Sequence, residues 1–101
     1  MSGYSVSPQA VEDLFEIWQF IALDTGDAAN RVQSEFYEMF GALGRSRRLG
    51  HRRKDLTRRP VLFFPLYSYL IVYQPDVDPI RIMAVVNGRR DVKRVLKERN
   101  L

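Results

Sequence analysis

Between Ser7 and Leu43 the apolar residues recur at helical spacing, whereas from Val61 onward they run in short blocks. Val11, Leu14, Phe15, Trp18, Ile21 and Ala22 fall at steps of 3, 1, 3, 3 and 1, which is one face of an α-helix. Ser7 is a good N-cap for that helix, and Pro8 suits its first turn, where a missing N–H is no loss. Glu12, Asp13 and Glu16 sit in its early turns, where the helix dipole favours negative charge. Asp24-Thr25-Gly26-Asp27 interrupts the pattern, and Asp27 is expected to cap a second helix. There Ala29, Val32, Phe36, Met39, Phe40 and Leu43 repeat at helical steps. Two amphipathic helices joined by a few polar residues predict an antiparallel hairpin.

Gly44 and Gly50 bracket Arg45-Ser46-Arg47-Arg48-Leu49, and the chain then stays polar to Pro60. A loop of that length is unusual in a compact domain and points to function. Three strands are expected next: Val61 to Leu66, Tyr69 to Gln74 and Ile80 to Val86. Tyr67-Ser68 forms a hairpin turn between the first two, and Pro75-Asp76-Val77-Asp78-Pro79 separates the last two. Pro65 cannot donate to a ladder, so its strand belongs at an edge or a bulge. Tyr4-Ser5-Val6 reads as a further short strand. From Arg90 the chain suits a short basic helix or tail, marginal on its own. The expected fold is α+β: an N-terminal strand and a helical hairpin packed on an antiparallel sheet, in the order β-α-α-β-β-β, as one domain over residues 1–101.

Charge sharpens this picture. Residues 1–44 hold seven Asp/Glu and one Arg, a net −6; residues 45–101 hold fifteen Lys/Arg and five Asp/Glu, a net +10. The overall +4 therefore conceals a polarised molecule whose second half is built to meet something anionic. There is no cysteine and one histidine, His51, so no disulfide framework, Cys nucleophile or multi-His metal site is expected, and no cofactor. No apolar run approaches a membrane span, and no secretory leader is visible, so a cytoplasmic location is expected. A helix-turn-helix, zinc-finger or basic-zipper pattern is missing, which argues against a sequence-specific DNA reader.

With the elements in this order, several pieces of sequence resemble the ParE branch of the RelE/ParE toxins. Ser7-Pro8-x-Ala10-x-x-Asp13-Leu14-x-x-Ile17-Trp18-x-x-Ile21-Ala22 is similar to its opening, and Ala28-Ala29-x-Arg31 to the start of its second helix. Gly50-His51-x-Arg53-x-Asp55-Leu56 resembles its loop before the sheet, Tyr69-Leu70-Ile71-Val72-Tyr73 its middle strand, and Arg89-Arg90-Asp91 after Asn87-Gly88 its closing turn. The resemblance implies a small toxin held in a hetero-oligomer by a cognate, ParD-like antitoxin. ParE relatives poison DNA gyrase on its bound DNA; RelE relatives cut mRNA on the ribosome. One scaffold serves both, so the fold does not choose between them.

The side chains do favour one. Cutting RNA needs groups that move protons beside cations that stabilise the phosphate. Cations abound, but no Tyr or His follows Tyr73, and Asn87 stands where many relatives carry a His; an amide does not titrate near pH 7. His51 is expected to be a loop residue, and Tyr67, Tyr69 and Tyr73 to pack in the sheet. The nuclease alternative requires His51 and a strand tyrosine to converge on the arginines. No catalytic residue is therefore assigned. The expected target- or antitoxin-binding residues are Arg58, Arg59, Arg81, Arg89, Arg90, Lys93 and Arg94. Asp91 is also placed to cap the tail helix and to pair with Arg94. Ile17 and Phe20 on the first helix and Tyr37 on the second lie off the main stripes and are candidates for an antitoxin groove; Trp18 suits that role or a core anchor, with core preferred.

Overall fold

The computed structural model describes residues 3–101. In it β1 (Tyr4–Val6) leads into α1 (Pro8–Ala22) and α2 (Gly26–Arg45), and the long loop precedes β2 (Leu62–Leu66), β3 (Tyr69–Gln74), β4 (Ile80–Asn87) and α3 (Val92–Glu98). The strands form one sheet in the order β1-β4-β3-β2. The β2–β3–β4 meander is antiparallel, as expected, but β1 joins β4 in parallel, so the sheet is mixed. Pro65 does lie on an edge strand. Half of that edge is covered, because His51 and Phe63 exchange backbone hydrogen bonds of 2.8 Å each way.

The sheet is buried on both faces. The hairpin lays Leu14, Ile17, Phe36, Phe40 and Leu43 on Leu62, Ile71, Tyr73, Ile80, Ile82 and Val85. On the other face Val92, Leu96 and Leu101 cover Val61, Phe63, Val72, Ala84 and Val86. β4 serves both layers because its register shifts beside Val72/Tyr73: Ile82 faces Tyr73, Ala84 faces Val72, and Met83 is left between. Such a bulge turns the following side chains over. Ala84, Val85 and Val86 are accordingly all buried. Burial on both faces is what lets α3, too short to stand alone, remain helical.

α1 corrects the sequence reading by a rotation. Its buried face is Ala10, Asp13, Leu14 and Ile17, not the stripe beginning at Val11. Val11 is 48% and Phe15 55% exposed. Ile17 is buried in the core, and Trp18 is a half-exposed residue whose indole N–H donates to Asn30 Oδ1 at 2.8 Å. What turned the helix is Asp13. β1 pairs only with Ile80, Arg81 and Ile82, which leaves the rest of that β4 edge open. Ser7 and Asp13 continue the ladder in place of a strand. The Ser7 N–H donates to the Ile82 carbonyl (2.9 Å), its hydroxyl to the Met83 carbonyl (3.1 Å), and the Val85 N–H donates to Asp13 Oδ2 (3.0 Å). The Ser7 hydroxyl also accepts from the Ala10 N–H, the expected N-cap bond.

Two smaller expectations also change. Asp27 lies inside the first turn of α2, whose N-cap is Thr25 without a side-chain cap bond. Tyr67 is not packed in the sheet: it is 57% exposed in the β2–β3 turn, at a left-handed φ of 56°, with its hydroxyl on Glu35.

Candidate target-binding surface

The turn from β4 to α3 is built by Asn87 and Asp91. The Asn87 side-chain oxygen accepts from the Arg89 N–H (3.0 Å) and its carbonyl from the Arg90 N–H (3.1 Å), while the Gly88 N–H reaches the Ser68 carbonyl at 2.7 Å. An Asn bonding two residues ahead is a common turn former, so this amide is occupied in shaping the loop. Asp91 caps α3 as expected, accepting from the Arg94 N–H. The Arg94 guanidinium, however, pairs with Glu98 one turn on, at 3.1 Å, rather than with Asp91. Arg89 and Arg90 project from this ordered turn, exposed and, among the described residues, without an ion-pair partner.

Ion pairs sort the remaining cations. Arg47 meets Asp78 at 2.6 Å and Arg48 meets Asp76, which lays the loop against the β3–β4 turn. Arg53 and Asp55 form a bidentate pair, and that hydrogen bonding raises the arginine and lowers the carboxylate from their ordinary values. These exposed pairs contribute little stability, but they neutralise three of the eight loop cations. Arg58, Arg59, Arg81, Lys93 and Lys97 are exposed and unpaired among the described residues.

The structure does not gather every residue expected at the site. Arg81 pairs across the sheet with Ser5 and Gln74 near the start of β4. Five strand residues lie between it and Asn87, a distance of roughly 20 Å along the strand. Arg59 and Lys93 instead share a groove of about 270 Å³ between the loop and α3, lined also by Leu56, Thr57, Lys97 and Asn100. Arg90 opens onto a second groove, of about 200 Å³, between α1 and α3. Ile17 and Phe20 line that one as well, Phe20 at 70% exposure. Tyr37 lies apart, stacked edge-on against Phe40 at 5.5 Å and lining two shallow grooves of α2. Sequence reasoning missed Lys97, which only the helical turn of α3 sets one turn beyond Lys93.

The strand tyrosines have definite tasks. Tyr69 packs edge-on against Phe36 at 5.9 Å. Tyr73 is fully buried; its hydroxyl donates to the Arg47 carbonyl (2.8 Å) and accepts from the Gly50 N–H (2.9 Å). Burial pushes the phenol above its ordinary value, against the opposing Gly50 hydrogen bond. Gly50 is required here, since a Cβ would lie 2.7 Å from the Tyr73 oxygen and 2.9 Å from the Phe63 carbonyl oxygen. The hydroxyl is thus a pin holding the basic loop to the sheet. Tyr73→Phe leaves both partners unsatisfied and is expected to cost about 2 kcal/mol at neutral pH. Because the folded phenol titrates higher than the unfolded one, its contribution is complete below about pH 10 and lost as pH rises through the folded value. The difference between wild type and Tyr73→Phe in urea midpoints should therefore shrink above pH 10; a constant gap would contradict the pin.

The fold is a helical hairpin and a short third helix on opposite faces of a four-stranded sheet, with unpaired cations around the third helix. The family model described as the ParE toxin of the type II toxin–antitoxin system parDE matches residues 4–92. The chain belongs to that family. Among solved structures it is similar to a chain of the chromosomal ParDE toxin–antitoxin system from P. aeruginosa. That likeness has a TM-score of 0.73 at 17% identity and covers 86% of this chain and 96% of the other. At that identity the likeness speaks for the fold. No curated protein matches the sequence. Among the described residues no helix is long and apolar enough to cross a membrane.

Proposed function

We propose that this chain is a toxin that inhibits DNA gyrase by binding it on its DNA, without making or breaking a bond itself, until a ParD-like antitoxin covers it. The observation that carries the reading is that open arginines stand beside an Asn87 that does not titrate, while Tyr73 is buried and engaged and His51 is held by its backbone to Phe63 in the loop. Tyr73 is buried and doubly hydrogen-bonded, Asn87 shapes a turn, and Arg89 and Arg90 stand free beside it. A charged surface of that kind suits binding, where specificity and rate of encounter come from complementary potential. Cytoplasmic residence follows from the proposed target. For the antitoxin, the α1–α3 groove offers an apolar anchor point at Phe20 beside the Arg90 cation, a fit for an amphipathic segment carrying acidic residues.

The test is plasmid supercoiling by purified gyrase with increasing amounts of this protein. The expected result is loss of supercoiling with accumulation of cleaved plasmid, reversed when a ParD-like antitoxin is added. Unimpaired supercoiling, together with cut transcripts on translating ribosomes, would instead establish the mRNA endonuclease.

A further inference from the structure

We infer that the groove between the loop segment Leu56–Arg59 and α3 is a docking site for the phosphodiester backbone of duplex DNA, held by Arg59, Lys93 and Lys97. It deepens the gyrase reading, on which its biological setting rests, by giving the toxin its own contact with the DNA. Lys93 and Lys97 are one turn apart on α3 and both line the groove, with Arg59 on the opposite wall. Like charges at that spacing destabilise a helix, and α3 is only seven residues long. Lys97 lies in the last turn, where the helix dipole favours a cation, but Lys93 lies in the first turn, where it does not, and nearby Asp55 is held bidentately by Arg53. Lys93 thus gains nothing from the element that carries it, and both ammoniums stand exposed and, among the described residues, unpaired, open to an anionic partner.

The lining distinguishes the partner. An acidic protein segment needs an apolar socket as well as cations, but Leu96 and Leu101 in this groove are 1% and 7% exposed and already belong to the core, and Leu56 is half-buried against it. What faces outward is Arg59, Lys93, Lys97 and Asn100, with Thr57 half-buried and its hydroxyl on the Leu101 carbonyl. Point charges and hydrogen-bond donors along an open groove suit the phosphate chain, which carries no sequence information. Arg58, exposed and next to Arg59 in the chain, does not line the groove but adds to the positive charge of the loop.

The experiment measures binding of the whole chain to a fluorescent mixed-sequence duplex across a salt series, with no topoisomerase present. Its failure is therefore separate from failure of the supercoiling test. Lys93→Gln/Lys97→Gln is compared with Arg31→Gln/Arg45→Gln, which removes the same charge elsewhere. Each phosphate contact contributes about 0.9 to the slope of log affinity against log salt. The lysine pair should flatten that slope by about 1.8 and weaken binding roughly 50-fold at 0.1 M salt. The control pair should leave the slope nearly unchanged, and Arg59→Gln alone should remove about half of the lysine effect. Equal losses in both pairs would reduce the interaction to diffuse attraction and overturn the site. So would absence of duplex binding at low salt, or a poly-glutamate peptide that binds through the lysines where DNA does not.

Discussion

Arg89→Ala/Arg90→Ala is expected to lose inhibition of gyrase by at least about a hundredfold while the melting temperature moves by only a few degrees. The two guanidiniums are exposed, have no ion-pair partner among the described residues and cap no helix, so the free chain loses almost nothing. The turn that presents them is built from backbone and Asn87, and it survives the substitution. Arginines held on an ordered element make strong interface anchors, each commonly worth about 2 kcal/mol. Two such losses multiply to the expected factor even with incomplete additivity. A double variant that still blocks supercoiling at wild-type concentration would move the target site elsewhere. Because Arg90 also lines the α1–α3 groove, the same variant should bind antitoxin more weakly, and isothermal titration would read that separately.

Arg99→Met should destabilise the fold by about 3 kcal/mol, the lower end of what breaking a buried pair costs. For a domain of this size that is a fall of roughly 15 °C in melting temperature. Arg99 grips both oxygens of Asp13 at 2.7 and 2.8 Å, and the Asp13 side chain is only 7% exposed. That hydrogen bonding raises the guanidinium above its ordinary value, outweighing its desolvation. Removing the arginine leaves a carboxylate under α1 with the Val85 N–H as its one remaining partner. Asp13→Leu/Arg99→Met removes the stranded charge and should recover part of the loss. It will stay about 1–3 kcal/mol short, since the Val85 donor is then orphaned. A loss below 1 kcal/mol in the single variant would show that water screens the pair.

The same pair marks where the sequence was readable and where it was not. Element order, the edge position of Pro65, the Ser7 and Asp91 caps and the face of α2 all follow from local chemistry. The phase of α1 does not. Ala10, Leu14, Ile17 and Ile21 also repeat at helical steps, and the choice between this stripe and the one through Val11 and Phe15 turns on Asp13. Its partner lies 86 residues away, beyond any local pattern. Tyr73 was legible as a packed aromatic but not as the hydroxyl that pins the loop, because its partners are backbone atoms. The basic residues were legible as a total. Which of them ion pairs neutralise, and that Arg81 stands a strand's length from the rest, required the sheet register.

The parallel pairing of β1 with β4 sets Tyr4 beside Ile80, so β1 finds its place only once β4 has been made. Contacts between such distant segments are slow to form, because the intervening chain must be closed into a loop before they stabilise anything. A nascent chain can build the acidic helical hairpin early. Its complete sheet, the Arg89–Arg90 turn and the α3 groove wait for β4 and the residues that follow it. On the ribosome the hairpin therefore matures first, and the surface proposed to meet gyrase is assembled only afterwards, in one step with the docking of α3.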